Sequence, residues 1–326
     1  MSVSPLQVVL GVDIGGTFSK FGFVDRQGNC PAENSIPTHA DEPFKHFLAR
    51  LVEAVEDLKH TMPVPFEIMG IGMGAPNANY YTGRIEKPVN LSWGDTDVVS
   101  HMKKYYDLPA IITNDANAAA IGEMKFGVAR GMKDFLIITL GTGLGSGFVA
   151  NGELIYGSDG FAGELGHIIV DPNGRMHSNG RRGTMEAYVS ATGIKRTVFH
   201  LLAELPDESE LRDISFNQLD GAMITEAAHR GDKIAIEAFE YTGRILGLKL
   251  ADTVAHTSPE AIIFFGGLTK AGDLLLEPVK RYLEHFLLPI YRDKVKLLIS
   301  GLEGRNAAVL GSSALIWNEL DKGERI

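Results

Sequence analysis

The stretch Val8-Val9-Leu10-Gly11-Val12-Asp13-Ile14-Gly15-Gly16-Thr17-Phe18-Ser19-Lys20-Phe21-Gly22-Phe23-Val24-Asp25-Arg26-Gln27-Gly28 decides the fold. An apolar run ends in an aspartate, a Gly-Gly-Thr turn follows, a second strand-like run covers Phe18–Val24, and Asp25–Gly28 closes with a polar turn. The second stretch of this shape is Phe135-Leu136-Ile137-Ile138-Thr139-Leu140-Gly141-Thr142-Gly143-Leu144-Gly145-Ser146-Gly147-Phe148-Val149-Ala150-Asn151-Gly152-Glu153. Its turn begins about 126 residues after the first, counted from Gly15 to Gly141. This weak internal repeat predicts two related α/β domains, each opening with a β-hairpin whose turn is rich in glycine.

The segments around the two hairpins fit that plan. Residues 43–60 place Phe47, Leu48, Leu51, Val52, Val55 and Leu58 on one helical face. Ile68–Met73 reads as a strand followed by the loop Gly74-Ala75-Pro76-Asn77. Pro109–Thr113 reads as another, followed by Asn114-Asp115 and an alanine-rich helix from Ala116. In the second half the glycine turn covers Gly141–Gly145 and the return strand Ser146–Ala150, with Asn151-Gly152 as a hairpin turn before Glu153–Tyr156. Helices are predicted over Met185–Leu202, Ile224–Arg230 and Lys233–Ala255. A buried strand, Ala261–Phe265, ends in Gly266-Gly267. A short strand at Lys294–Ile299 and a helix at Asn306–Leu320 complete the chain.

Composition narrows the class. The 326 residues are 44% hydrophobic and 22% charged, enough to bury a core and too apolar for disorder. The formal net charge of −10 argues against a dedicated nucleic-acid binder. Cys30 is the single cysteine, which excludes an intrachain disulfide framework and a thiolate zinc site within one chain. The 37 glycines exceed an average share. The N-terminus has no basic leader region, and every apolar run falls far short of the ~18 residues that span a membrane. The expectation is a soluble cytoplasmic protein.

Five motifs carry candidate chemistry. In Asp13-Ile14-Gly15-Gly16-Thr17, with Lys20, a glycine turn lets backbone N–H groups approach a phosphate, and Thr17 adds a hydroxyl. Asp13 at the strand end is suited to Mg²⁺ through water; a plain hairpin with a capping aspartate reads equally well. Gly141-Thr142-Gly143 repeats the device without a Walker lysine or a following helix. Two such turns facing one another would clamp a polyphosphate. Gly266-Gly267 permits close approach by a flat ligand such as adenine, or is simply a turn. Asp115, between a strand end and a helix start, reads either as a helix N-cap or as a general base. As a base it would take the proton of a sugar hydroxyl attacking a γ-phosphoryl group, at an ordinary carboxylate pKa. Glu164, His167 and Glu186 are polar groups suited to sugar hydroxyls, or members of hydrogen-bonded loops.

Together DIGGTFSK (13–20), NDANAAAIGE (114–123), GTGLGSG (141–147), ELGH (164–167) and GRRGTME (180–186) resemble the ROK family, and its glucokinase-type sugar kinases in particular. The resemblance runs in order over nearly the whole chain. It implies the duplicated ribonuclease-H-like α/β fold of the actin, Hsp70 and hexokinase group, in two domains around a cleft. Residues 1–115 with a C-terminal helix at about 306–326 would form the smaller domain, and 116–305 the larger. It further implies ATP and Mg²⁺, with phosphates at the turns of residues 13–17 and 141–145 and adenosine near Gly266 and Gly267. Asp115 would be the catalytic base. Asn90, Asn114, Glu164, His167 and Glu186 would contact a hexose, with transfer to the 6-hydroxyl of glucose the first expectation. Partners implied are hexose and ATP, no nucleic acid, no membrane, and a homodimer or homotetramer.

One departure from the family pattern stands out. Where relatives carry three zinc-binding cysteines, this chain has His177, Asn179 and Thr184, while Gly180, Gly183 and Glu186 remain. Asparagine and threonine are poor zinc ligands, so no zinc is expected. Hydrogen bonding among His177, Asn179 and Thr184 is expected to hold the loop instead. Alternatives within the resemblance are a kinase for N-acetylglucosamine, N-acetylmannosamine, fructose or allose, a polyphosphate-using glucokinase, or a sugar-sensing regulator. The last ranks below a kinase because Asp115 is retained and the phosphate turn begins at Asp13, which leaves no space ahead of it for a helix-turn-helix domain.

Overall fold

The structure is a computed structural model that describes residues 4–88, 91–302 and 306–323. Along the chain run β1 (Leu6–Ile14), β2 (Phe18–Asp25), β3 (Ala32–Pro37), α1 (Phe44–Lys59), β4 (Phe66–Gly74) and the short strands β5 (Ala78–Asn79), β6 (Arg84–Ile85) and β7 (Thr96–Asp97). Then come α2 (Val98–Lys103), β8 (Ala110–Thr113), α3 (Asp115–Phe126), β9 (Phe135–Leu140), β10 (Leu144–Ala150) and β11 (Glu153–Leu154). The remainder is α4 (Glu186–Val189), α5 (Ala191–Glu204), α6 (Gly221–His229), α7 (Lys233–Thr257), β12 (Ala261–Phe265), α8 (Asp273–Phe286), β13 (Lys296–Ile299) and α9 (Ala307–Lys322). Contacts divide the chain into two compact units. One holds residues 1–132, 154–162 and 300–326, the other 133–153 and 163–299.

The first unit is built on a sheet ordered β3-β2-β1-β4-β8. β1 pairs antiparallel with β2 and parallel with β4, which pairs parallel with β8. Alternation along β1 sorts its two faces. Val8, Leu10, Val12 and Ile14 join the core that contains Phe47, Leu51 and Val55 of α1 and Val98 and Met102 of α2. Val9 faces the other way, into a core with Ile121 of α3 and Ala314–Trp317 of α9. Glycine makes this second layer unusually close. A Cβ on Gly11 would strike Ser313, one on Gly72 would strike the Ser312 carbonyl, and one on Gly311 would come within 2.7 Å of the Ala118 carbonyl. Part of the glycine excess therefore serves helix packing rather than ligand turns.

The second unit repeats the order as β11-β10-β9-β12-β13, with β9 and β10 antiparallel and β9, β12 and β13 parallel. Its core runs from Leu136, Ile138 and Leu140 of β9 through Phe239, Leu246 and Leu250 of α7 to Leu275 and Val279 of α8. The repeated order bears out the two related α/β domains predicted from the hairpins, and it is the duplicated ribonuclease-H-like topology that the resemblance implied. Among the described residues no helix is long and apolar enough to cross a membrane.

Local differences from the expected elements have physical reasons. The turn after β9 closes at Gly143, because Leu144 is already buried and paired with Leu140. The helix expected over Met185–Leu202 breaks at Ser190, which is extended and accepts the Gly193 N–H on its side chain, capping α5. β3 was not anticipated: its sequence, AENSIP, is a largely exposed edge strand without apolar alternation. Asn151 and Gly152 both have positive φ, as the hairpin signal required.

Candidate functional site

In the first unit the candidate residues gather at the carboxyl ends of β1, β4 and β8. Asp13 is in register with Lys20 of β2 on one side and with Gly74 of β4 on the other, and Gly74 is in register with Thr113 at the end of β8. Asn114 and Asp115 follow immediately. A Cβ on Gly74 would sit 3.8 Å from the Asp115 Cα, in ordinary contact, so the end of β4 packs directly against the start of α3. Asn114, not Asp115, is the N-cap of α3: its side-chain oxygen accepts the Ala116 N–H at 2.9 Å. Asp115 is the first helical residue, and its Oδ1 accepts the same N–H at 2.8 Å.

Both acids are displaced from ordinary behaviour. Asp13 is pushed up to about 7, chiefly by desolvation, then by repulsion from Asp115, against the pull of Lys20. Desolvation raises the Asp115 carboxyl too, although N–H groups from Ala116 and its own backbone oppose it. Asp115 keeps surface open to water while dense protein surrounds its charge. The expectation of an ordinary carboxylate there is corrected by this desolvation.

The Gly15–Thr17 turn is braced from outside by Thr38. Its hydroxyl donates to the Gly15 carbonyl at 2.7 Å and lies 2.9 Å from the Ser19 hydroxyl, while its N–H donates to the Thr17 carbonyl at 2.9 Å. Gly16, Thr17 and Lys20 are exposed. Asn90 lies outside the described residues.

In the second unit the turn after β9 is braced by Glu186. The Leu144 N–H donates to Glu186 Oε2 at 2.7 Å, and a Cβ on Gly143 would lie 2.5 Å from that oxygen. The Gly141 carbonyl accepts the Ala191 N–H at 2.9 Å, and Thr142 is exposed. Gly266 packs on the base of the same turn. Its φ is +110°, and a Cβ there would fall 2.6 Å from the Leu140 carbonyl, so only glycine fits. Gly267 is exposed beside it.

The loop between Asp171 and Glu186 brings a connection the sequence did not reveal. His177, with a side chain 9% exposed, accepts the Asn179 N–H on Nδ1 at 3.2 Å and therefore donates from Nε2 to Glu186 Oε1. Asn179 Oδ1 accepts the Arg181 N–H at 3.0 Å. The expected contribution of Thr184 is corrected: its hydroxyl is buried without a hydrogen-bond partner. His167 Nε2 lies 3.7 Å from Glu164, its ring meets that of His177 edge-on at 5.5 Å, and its Nδ1 is buried and unpartnered.

These donors do not fit a structural zinc ion. Both ring nitrogens of His177 are engaged, Asn179 and Thr184 offer neutral oxygens, and only His167 Nδ1 is left. Among the described residues no group of three His, Cys, Asp or Glu side chains could hold a metal.

Comparison with known proteins identifies the family. The ROK family model matches residues 9–319. A glucokinase of Halalkalibacterium halodurans is 35% identical over 96% of this chain and 97% of its own length. A ROK family glucokinase from Streptomyces griseus, solved with glucose and AMPPNP, superposes with a TM-score of 0.79 at 30% identity, covering 94% of this chain and 98% of that one. A ROK family transcriptional regulator, homologous to the E. coli MLC protein, superposes at 0.87 with 25% identity, covering 97% of this chain and 79% of that one. With a family model spanning nearly its whole length and a relative this similar end to end, the chain belongs to the ROK family.

Proposed function

We propose that this chain is an ATP-dependent hexose kinase, a glucokinase that transfers the γ-phosphoryl group to the sugar 6-hydroxyl with Asp115 as base. The observation that carries the reading is Asp115 itself. It is a carboxyl at the first position of α3 whose pKa desolvation raises, beside a second raised carboxyl at Asp13. The similarity to glucokinases supports the substrate class.

Each residue has a role in this reading. Asp115 Oδ1 is held by the Ala116 N–H, which leaves Oδ2 to take the hydroxyl proton as the sugar oxygen bonds to phosphorus and the bond to the ADP oxygen breaks. Asn114 caps the helix with its oxygen and keeps its amide hydrogens for a sugar hydroxyl. Glu164, His167 and Glu186 bind further hydroxyls, and Asn90 is assigned to the sugar with them. N–H groups of Gly15, Gly16 and Thr17, and of Thr142 and Gly143, receive phosphate oxygens, with Lys20 adding charge, while the Gly141 N–H donates to the Gly143 carbonyl at 3.0 Å and so shapes the second turn. Gly266 and Gly267 accommodate the adenosine. Asp13 fits Mg²⁺ through water, because its desolvated carboxyl faces a like charge that a cation would relieve. Bound Mg²⁺ supplies neutralisation of the phosphate charge.

A coupled assay of ADP release, run over glucose, N-acetylglucosamine, N-acetylmannosamine, fructose and allose with ATP or polyphosphate as donor, tests the proposal. Turnover with glucose and ATP is expected. Turnover with another hexose reassigns the substrate, and absence of sugar-stimulated turnover overturns the kinase. A second reading, a sugar-responsive regulator, draws on the likeness to the regulator structure. Tight sugar binding by a chain that never turns over ATP would favour it.

A further inference from the structure

The second unit contains a polar cavity that the proposed reaction does not use. It measures about 470 Å³, with Asp171, Arg175, Tyr188, Arg196, His200 and Tyr241 in its wall. An adjoining recess of about 330 Å³ shares Asp171, Tyr188 and Tyr241 and adds Arg244. These volumes lie in the range of small-molecule sites.

Its chemistry is cationic and aromatic. The Arg175 guanidinium lies 4.5 Å from the Tyr188 ring and 5.6 Å from that of Tyr241, and Arg244 lies 5.4 Å from Tyr241. The two tyrosine rings stack at 6.4 Å. Arg175 Nη1 donates to the carbonyls of Ala187 (3.3 Å) and Gly193 (3.1 Å), so the group is anchored. Arg196 Nη1 donates to the Met176 carbonyl at 2.8 Å.

The carboxylates nearby are already engaged: Glu240, which also feels the charge of Arg244, is ion-paired with Arg281. Asp171 uses Oδ1 to accept the Asn173 N–H at 3.0 Å, and Glu204 lies 3.4 Å from His200. Among the described residues no carboxylate approaches Arg175, Arg196 or Arg244 within 4 Å. Desolvation lowers the Arg175 pKa, and the nearby charge of Arg196 adds to the effect. A half-buried guanidinium without a counter-ion is costly, and a phosphate matches its fork in pairs of hydrogen bonds.

We propose that this cavity binds a small organic phosphate, with the phosphate between Arg175 and Arg196 and the organic body against the two tyrosines, reaching toward Arg244 in the adjoining recess. The site has a route to the candidate sugar residues. The Arg175 N–H donates to Tyr188 Oη at 3.0 Å, and its carbonyl accepts the Gly183 N–H at 2.8 Å. The loop so anchored carries His177, which holds Glu186, which holds the Leu144 N–H at 2.7 Å. Binding stands independently of the kinase reading; an effect on sugar KM rests on it.

The test is calorimetric titration of the full chain with glucose 6-phosphate, fructose 1,6-bisphosphate and inorganic phosphate, in the presence of saturating glucose and AMPPNP. At least one ester is expected to bind in the micromolar to submillimolar range. Arg196→Leu combined with Arg244→Leu should weaken it at least tenfold while leaving kcat within twofold. Arg244→Leu alone, which breaks no hydrogen bond to the loop, should weaken it severalfold. Asp171→Asn should tighten binding. The proposal is overturned if no ester binds, if the double variant binds like the parent, or if the double variant sediments as a smaller species, which would mean that a second copy of the chain covers the cavity. Because binding is read without turnover, failure of the kinase reading would appear separately, as absent ADP release.

Discussion

The two hairpins share a topology but not a chemistry. By register, Asp13 and Thr139 occupy equivalent places: each sits second-last before its glycine turn, with a partner on the return strand and another on the following parallel strand. In the first unit that place holds a desolvated acid, raised to about 7, next to a second acid at Asp115. In the second it holds a hydroxyl that accepts the Gly145 N–H at 3.1 Å. The braces differ as well. Neutral Thr38 steadies the first turn, whereas the carboxylate of Glu186 and the ring of His177 steady the second. Duplication preserved the backbone of the glycine turn, while paired acids concentrated in one copy and charged scaffolding in the other.

The contrast can be broken by mutation, beginning with the acids. Asp115→Asn should reduce kcat by about 10³-fold in the ADP-release assay, with little change in circular dichroism. Near-normal turnover would remove Asp115 from the role of base. Asp13→Asn should reduce kcat/KM by about 10²-fold yet raise the melting temperature at pH 8. Its folded pKa is raised from 3.8 to about 7, so ionisation disfavours the native state. The stability of the parent relative to this variant should therefore fall as pH climbs from about 4 through 7, which thermal melts across that window would follow. If the base must be ionised, kcat/KM should rise with pH on its acid limb, displaced upward from where a free aspartate would titrate because desolvation raises Asp115.

Changes to the second hairpin should be gentler. His177→Ala frees Glu186 and should raise the sugar KM about tenfold, ~1.4 kcal/mol, with a smaller change in kcat. An effect as large as that of Asp115→Asn would erase the distinction between chemistry and scaffolding. The mildest change is Thr38→Val, which removes the brace on Gly15 and should cost about 1 kcal/mol in denaturant unfolding.

Much of this was legible in local pattern. The spacing of apolar residues marked α1, and continuous apolar runs marked β9 and β12, because these elements bury a face or a whole strand. The glycine turns, Asp13 and Asp115 could be read because short motifs report backbone and charge together. What escaped was non-local. Nothing in the order of residues says that His177 meets Glu186, that Thr38 reaches Gly15, or that Gly11 and Gly72 admit α9. The raised carboxyls were illegible for the same reason, since desolvation comes from chain distant in sequence.

The last helix has a consequence for how the molecule is made. α9 supplies Ala314–Trp317 to the core beneath β1, and the Trp317 indole N–H donates to the Val24 carbonyl at 3.2 Å. The sheet that emerges first from the ribosome therefore lacks part of the layer on one face, which α3 shares with α9, until α9 has been synthesised, whereas most of the second unit, residues 163–299, is complete earlier. During translation the order of maturation is thus inverted. The half carrying the two acids becomes rigid last, and its exposed glycine-lined surface is what a chaperone would meet on the nascent chain.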